Sequence, residues 1–204
     1  RRVLEKFCEK NFEKLLIIRL PSIFGKHIKK NFIFDIINPL PSFFNIEKFK
    51  FINKKIPTQI KLFFNFIYKK KDRKYFLDRK LLNKSKEKNE NKKLFKFFEK
   101  NNFVSTSLTN PKSKFQYYNL ENLFNDIKSG IKLKKKYLNI STEPIYAKDI
   151  FRHLTKQRMK SNESNIYRSN MVSKYSTFWK KKKNYLYKKE EILSDLIKFY
   201  RINK

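Results

Sequence analysis

Residues 15–18 (LLII) form a short apolar run closely followed by Pro21, and this combination constrains the fold more than any other stretch. Four successive apolar side chains read as a strand covered on both faces, because a strand with one wet face alternates. Pro21 has no backbone N–H to give to a ladder and ends the strand. In open α/β sheets ligands bind just beyond the carboxyl ends of the strands, so Pro21, Ser22 and the loop through Gly25 form the candidate site.

The elements around this strand follow from periodicity and punctuation. Val3, Leu4, Phe7, Cys8 and Phe12 recur at helical spacing and predict an amphipathic helix ending near residue 12. A second helix is predicted over 31–38, stopped by Pro39 and Pro41. Residues 46–68 interleave apolar and basic positions and read as strand or helix; residues 69–93 are so charged that a solvated helix or an inserted loop is expected. Strand and helix alternation returns over 115–154, with a strand near 137–140 expected to lie parallel to residues 15–19 in one sheet. Ile192, Leu193, Leu196, Ile197 and Tyr200 are spaced as on an amphipathic closing helix. The chain thus divides into 1–45 (helix, strand and site loop), a variable or inserted 46–110, and 111–204.

Charge sets the rival reading. Lys and Arg number 51 against 18 Asp and Glu, a net +33, which ordinarily points to nucleic acid or an anionic membrane surface. Only nine of the basic residues are Arg, however, and Lys, Asn, Ile, Phe and Tyr are abundant while Gly is scarce. Drift toward A/T-rich codons produces that profile, so much of the charge reads as background, with weak, unselective RNA affinity at physiological salt. The lone Cys8 lies on an apolar helix face and is expected to be a core thiol in a reducing, cytoplasmic setting. His27 and His153 have no Cys or His companion at ligand spacing, no Ser-His-Asp arrangement or paired carboxylates stand out, and no run approaches the ~18 apolar residues of a membrane span.

Three segments, in this order, resemble the extended short-chain dehydrogenase/reductases, the NAD-dependent epimerase/dehydratase group. Arg19, Ser22, Phe24 and Gly25 are similar to the family's run of Arg, two residues, Asn, one residue, aromatic, Gly, Pro, with Ser22 and Lys26 standing where Asn and Pro are usual. Residues 115–131 (FQYYNLENLFNDIKSGI) are similar to its aromatic strand running into a helix through Val-x-Asp, with Asn119 at the Asp position. Residues 137–154 (YLNISTEPIYAKDIFRHL) are similar to its Tyr-Asn-Ile-Gly-Ser-Gly-like run, Pro and helix. The resemblance implies an α/β fold, the C-terminal part of a Rossmann-like doubly wound sheet with a small substrate-binding lobe, and a missing N-terminal cofactor half. It implies NAD or NADP as cofactor, a nucleotide sugar or related sugar as ligand, hydride transfer as epimerase, dehydratase or reductase, and a homodimer. Gly25 and Gly130 are the two glycines and neither lies in a pyrophosphate-cradling turn. Counting back from Glu5 puts Arg1 at the position of the family's catalytic Lys, with the catalytic Tyr expected upstream. The chain alone is therefore expected to be inactive, to expose apolar sheet surface and to be preceded by further coding sequence.

Within that resemblance, Pro21 and Ser22 would meet the nicotinamide end of the cofactor, and Ser22, Asn31, Phe32 and Lys174 the substrate. Each has a plainer reading: Ser22 as a turn residue, Asn31 as the N-cap of the helix from Phe32, Lys174 as a solvated cation, and Arg19 as a structural ion pair. Asn170, Met171, Ser173, Lys174 and Tyr175 are similar to an Asp-Met-x-Thr-Lys run of one epimerase-like branch, in which Lys174 would reach a phosphate. A degenerate protein that binds sugar without turnover fits the same residues. The alternative of another class is a basic RNA-binding or ribosome-associated protein, with residues 69–93 and 180–183 on phosphates and Tyr or Phe rings stacking on bases.

Overall fold

The computed structural model describes residues 2–84, 88–181 and 184–204. Arg1 at the expected Lys position, residues 85–87 of the charged run and Lys182 and Lys183 of the run at 180–183 lie outside the described residues. The chain is mixed α/β. In order it forms α1 (Arg2–Asn11), β1 (Ile17–Arg19), β2 (Ser22–Phe24), α2 (Phe32–Ile37), β3 (Phe43–Asn45), α3 (Ile46–Lys55) and α4 (Thr58–Ile67). β4 (Tyr68–Lys71), β5 (Lys74–Leu77), α5 (Arg79–Lys84), α6 (Lys88–Lys100), β6 (Lys114–Phe115) and β7 (Tyr117–Asn119) follow. The last elements are α7 (Leu123–Lys132), β8 (Tyr137–Asn139), β9 (Ile145–Tyr146), α8 (Ala147–Thr155) and α9 (Lys189–Asn203). No helix among the described residues is long and apolar enough to cross a membrane.

Two compact units share the chain: Arg1–Asn31 with Thr109–Lys204, and Phe32–Leu108 between them in sequence. In the first, β1 pairs with β8 in parallel, Ile18 opposite Leu138, as expected for residues 15–19 and 137–140. β2 pairs in parallel with β7, Ile23 opposite Tyr118. These are separate two-stranded ladders, and β6 with β9 makes a third, so among the described residues no extended doubly wound sheet is present. Pro21 is the local reason: the chain leaves the β8 ladder where its next N–H is missing and enters the β7 ladder at Ser22. Coverage of β1 is also less than its apolar run suggests, since Ile17 and Ile18 are half-buried and Arg19 is exposed.

Tyr118, Leu138, Ile140 and Leu186 form one buried cluster of this unit, with Leu16, Ile18, Ile23, Tyr175 and Trp179 packed against it. α7 can lie on it because Gly130 has no side chain; a Cβ there would sit 2.9 Å from Leu138 Cδ2 and 3.0 Å from Leu16 Cδ2. A carboxylate is buried in the same place. Asp126 is 3 % exposed and accepts hydrogen bonds from Tyr118 Oη (2.6 Å), Tyr187 Oη (2.7 Å) and Trp179 Nε1 (3.1 Å). Burial, then the bond to Asp126, raises both tyrosine pKa values well above the ordinary phenol range.

The helix expected to carry a core thiol behaves differently. α1 buries none of its residues: Val3 is 80 % and Phe7 60 % exposed, and Cys8 is half-buried. Its ties are ionic instead, Glu5 to Arg19 and Glu9 to Lys136 at 3.6 Å, which turns the acidic side of the helix toward β1.

In the second unit the ambiguous stretch 46–68 is helical. Asn45 caps α3 by accepting from the Lys48 amide at 2.8 Å, and Pro57 stands at the N-cap of α4. The charged run departs from expectation: instead of a solvated helix or loop it opens with an antiparallel hairpin, β4 against β5, with Asp72 in the left-handed region at the turn (φ 54°). Tyr68 and Leu77, opposite each other, are buried, and the lysines between them masked a strand period. Sheet order is β3-β5-β4, and Phe44, Phe49, Phe64, Tyr68 and Phe98 pack beneath it. Arg79 donates to Asn38 Oδ1, the Leu40 carbonyl and Ser42 Oγ at 3.1–3.3 Å, and its guanidinium lies 4.9 Å from the Phe34 ring centre. Beside it, burial pushes the Asp35 carboxyl up to about 6 despite the Arg79 charge.

Two measurements check these packings. Asp126→Leu removes the shared acceptor of three buried donors, and at about 1 kcal/mol or more per donor it lowers the unfolding free energy by roughly 3 kcal/mol. Urea unfolding read through the fluorescence of Trp179, the one tryptophan, reports it. Asp35 holds its proton to higher pH when folded, so its contribution favours the folded state at low pH and is lost as pH rises from about 4 to about 6. Relative to Asp35→Asn, the wild type therefore loses up to about 3 kcal/mol across that window, seen as a falling urea midpoint.

Candidate cleft at the strand ends

The step from β1 to β2 opens on a cleft of about 1140 Å³ within the first unit. Its floor is residues 17–23 of the chain, with Glu5 and Glu9 from α1, Lys30 and Asn31 from the loop after β2, and Tyr137 at the start of β8 around it. The carboxyl-end rule for sheet ligands thus has a physical counterpart, because a strand that ends at Pro21 leaves its polar groups facing open space.

Of the residues singled out from sequence, Pro21, Ser22 and Asn31 line this cleft together. Ser22 is the exposed first residue of β2, opposite Tyr117, so its hydroxyl is free to give or take one hydrogen bond. Asn31 donates from Nδ2 to the Ile23 carbonyl at 2.8 Å, which closes the loop after β2 across eight residues and fixes one wall. Phe32 is placed elsewhere: it is 4 % exposed at the start of α2, in the second unit. Lys174 is exposed in a turn and is not among the lining residues, although Met171 is.

Arg19 sits at the rim and is committed. Its Nε and Nη2 donate to the two carboxylate oxygens of Glu5 at 2.9 and 2.6 Å, and its guanidinium lies 4.8 Å from the Tyr137 ring centre. The hydrogen bond to Glu5 raises the arginine pKa further above its usual value, fixing the positive charge. The expected ion pair is present, but at the surface, with 43 % of the Arg19 side chain exposed. Sequence reading missed Glu5 and Glu9 as wall residues, since they lie on a helix whose apolar stripe drew attention away from its acids.

Among the described residues, the cleft offers hydroxyl, amide and charged groups and no nucleophile hydrogen-bonded to a base. Among the described residues, no group of three or more His, Cys, Asp or Glu could hold a metal ion, and His153 Nδ1 lies 2.7 Å from the Asp149 carbonyl within its own helix. Asn119 donates to Asp195 Oδ2 at 3.1 Å and accepts from the Glu121 amide, a capping role beside the β2–β7 ladder. Neither glycine sits in an open turn of the kind that cradles a pyrophosphate. The Cβ that Gly25 lacks would stand 3.1 Å from Leu120 Cβ, and Gly130 is committed to the α7 packing. Set against known proteins, the chain matches no family model, no curated protein and no solved structure.

Proposed function

We propose that this chain is the substrate-binding portion of an NAD(P)-dependent epimerase/dehydratase-like oxidoreductase, the C-terminal part of a Rossmann-like fold, and that its ligand is a nucleotide sugar or a related sugar. One observation carries the reading: β1 and β2, joined through Pro21, each pair in parallel with a strand from the segments that resemble the family, and the joint opens on the cleft. In that reading Ser22 and the Asn31-closed loop face the sugar hydroxyls, which is work suited to one hydroxyl and a fixed wall. The half-buried Ile17 and Ile18 and the exposed stripe of α1 are surfaces fit to receive further protein. NAD(P) would supply the hydride chemistry, and with both glycines occupied in packing, the described residues contribute substrate contacts rather than cofactor phosphate contacts.

Titration with UDP-glucose, followed by backbone amide shifts, tests this directly. Saturable shifts at Ser22, Ile23 and Asn31 are expected, and Ser22→Trp, which intrudes on the cleft at the strand joint, weakens the apparent affinity by about tenfold or more. Unchanged amides along 20–31 at saturating ligand would overturn the assignment.

A further inference from the structure

The second unit carries a surface that the cleft does not explain. Period-two alternation in the β3-β5-β4 sheet sends Phe44, Tyr75, Tyr68 and Leu77 inward, where Tyr75 stacks on Phe49 with ring centres 3.6 Å apart and Phe44 meets Tyr68 at 5.0 Å. The same alternation sends Phe43 and Phe76 outward. Register places Phe43, Phe76 and Lys69 in one row across the sheet, and Asn45, Lys74 and Lys71 in the next. Both rings are open, Phe43 at 50 % and Phe76 at 41 % exposure, with centres 5.9 Å apart and planes inclined by 40°. The Lys74 ammonium lies 4.8 Å from the Phe43 ring centre and the Lys69 ammonium 4.8 Å from that of Phe66, another open ring. Over residues 68–77 five basic residues face a single acid, Asp72 at the turn.

We propose that this outward face of the β3-β5-β4 sheet binds single-stranded nucleic acid, with bases stacking on Phe43 and Phe76 and phosphates on Lys69, Lys71 and Lys74. Charge and shape select that occupant. Two adjacent open rings offer flat π surfaces to any base, and Lys69, Lys71 and Lys74 stand in the same and the next outward row of the sheet, the Lys74 ammonium beside Phe43. A second copy of the chain on the same face would set lysine against lysine, and an apolar protein surface would strand three ammonium groups out of water. A duplex keeps its base faces stacked inside and cannot use the rings. A/T drift raises lysine and phenylalanine alike along the chain, but it does not set their register, which here puts two open rings side by side on adjacent strands with lysines in the same and the next row.

The inference is independent of the cleft, which UDP-glucose probes, so either proposal can fail alone. Fluorescence anisotropy of the full chain with labelled oligo(U) and oligo(dT) of ~12 nucleotides tests it, at about 0.15 M salt and again at about 0.5 M. Replacing both rings with leucine, Phe43→Leu with Phe76→Leu, keeps apolar bulk on an exposed face; circular dichroism checks that the variant is folded. The double variant is expected to bind the single strands about tenfold to a hundredfold more weakly with the same salt dependence. Lys69→Gln with Lys74→Gln should instead flatten the salt dependence, by a slope of roughly one to two. Three results would overturn the proposal: equal affinity of the leucine variant and the wild type, equal affinity of the wild type for duplex and single strand, or ring-dependent binding to phosphatidylserine vesicles with ring-independent binding to the oligonucleotides.

Discussion

A proline without an amide hydrogen governs the first unit. Up to Arg19 the chain is laddered to β8, where the Ile140 amide donates to the Arg19 carbonyl at 2.9 Å; three residues later, at Ser22, it is laddered to β7. Pro21 cannot donate to either ladder, so the strand has to change partners there, and changing partners splits the sheet. The cleft, the exposure of Ser22 and the loop that Asn31 closes all follow from that split. Three residues per strand would be a weak sheet by itself. The Asp126 clasp compensates by joining β7, α7, the 3₁₀ turn at Ser176–Trp179 and the segment before α9 through one carboxylate.

The second unit rests on aromatic packing. Phe44, Phe49, Phe64, Tyr68 and Phe98 make a continuous set of ring contacts between 4.9 and 6.4 Å, and Tyr68 also donates to the Pro41 carbonyl at 2.7 Å. The rings that make this core come from β3, α3, α4, β4 and α6, while Phe51 on α3 and Leu62 and Phe66 on α4 stay open among the surface lysines. Against those scattered side chains, Phe43 and Phe76 differ in standing side by side on adjacent strands, with ring centres 5.9 Å apart.

Much of the first unit was legible in the sequence, for local reasons. LLII and Pro21 mark β1 and its end, the aromatic stretch at Tyr117–Asn119 marks β7, the neighbour of β2, and the spacing Ile192, Leu196 and Tyr200 gives the buried face of α9. That Pro21 and Ser22 border open space follows from the carboxyl-end rule, which depends on strand direction, whereas Asn31 beside them was suggested by the family resemblance. Other features were hidden by distance or by charge. Asp126 finds its partners 8, 53 and 61 residues away, which no window of sequence contains. The β4–β5 hairpin was hidden because Lys70 stands in the inward row opposite Tyr75 and Phe76 in the outward row, so the period-two signal rests on Tyr68, Tyr75 and Leu77 alone. Cys8 and Phe32 show that an apolar pattern does not say which surface it meets: the first lies on a helix held by its acids, the second in a core.

The central claim is that the parallel β1–β8 pairing, released at Pro21, builds the cleft. Native-state hydrogen exchange tests it most directly at two amides, Ile17, which donates to the Lys136 carbonyl at 2.8 Å, and Ile140, which donates to the Arg19 carbonyl. The account predicts that both are strongly protected and exchange together, at rates set by opening of the first unit as a whole. Exchange of Ile17 and Ile140 as fast as the exposed residues of α1 would contradict the pairing and the cleft built on it.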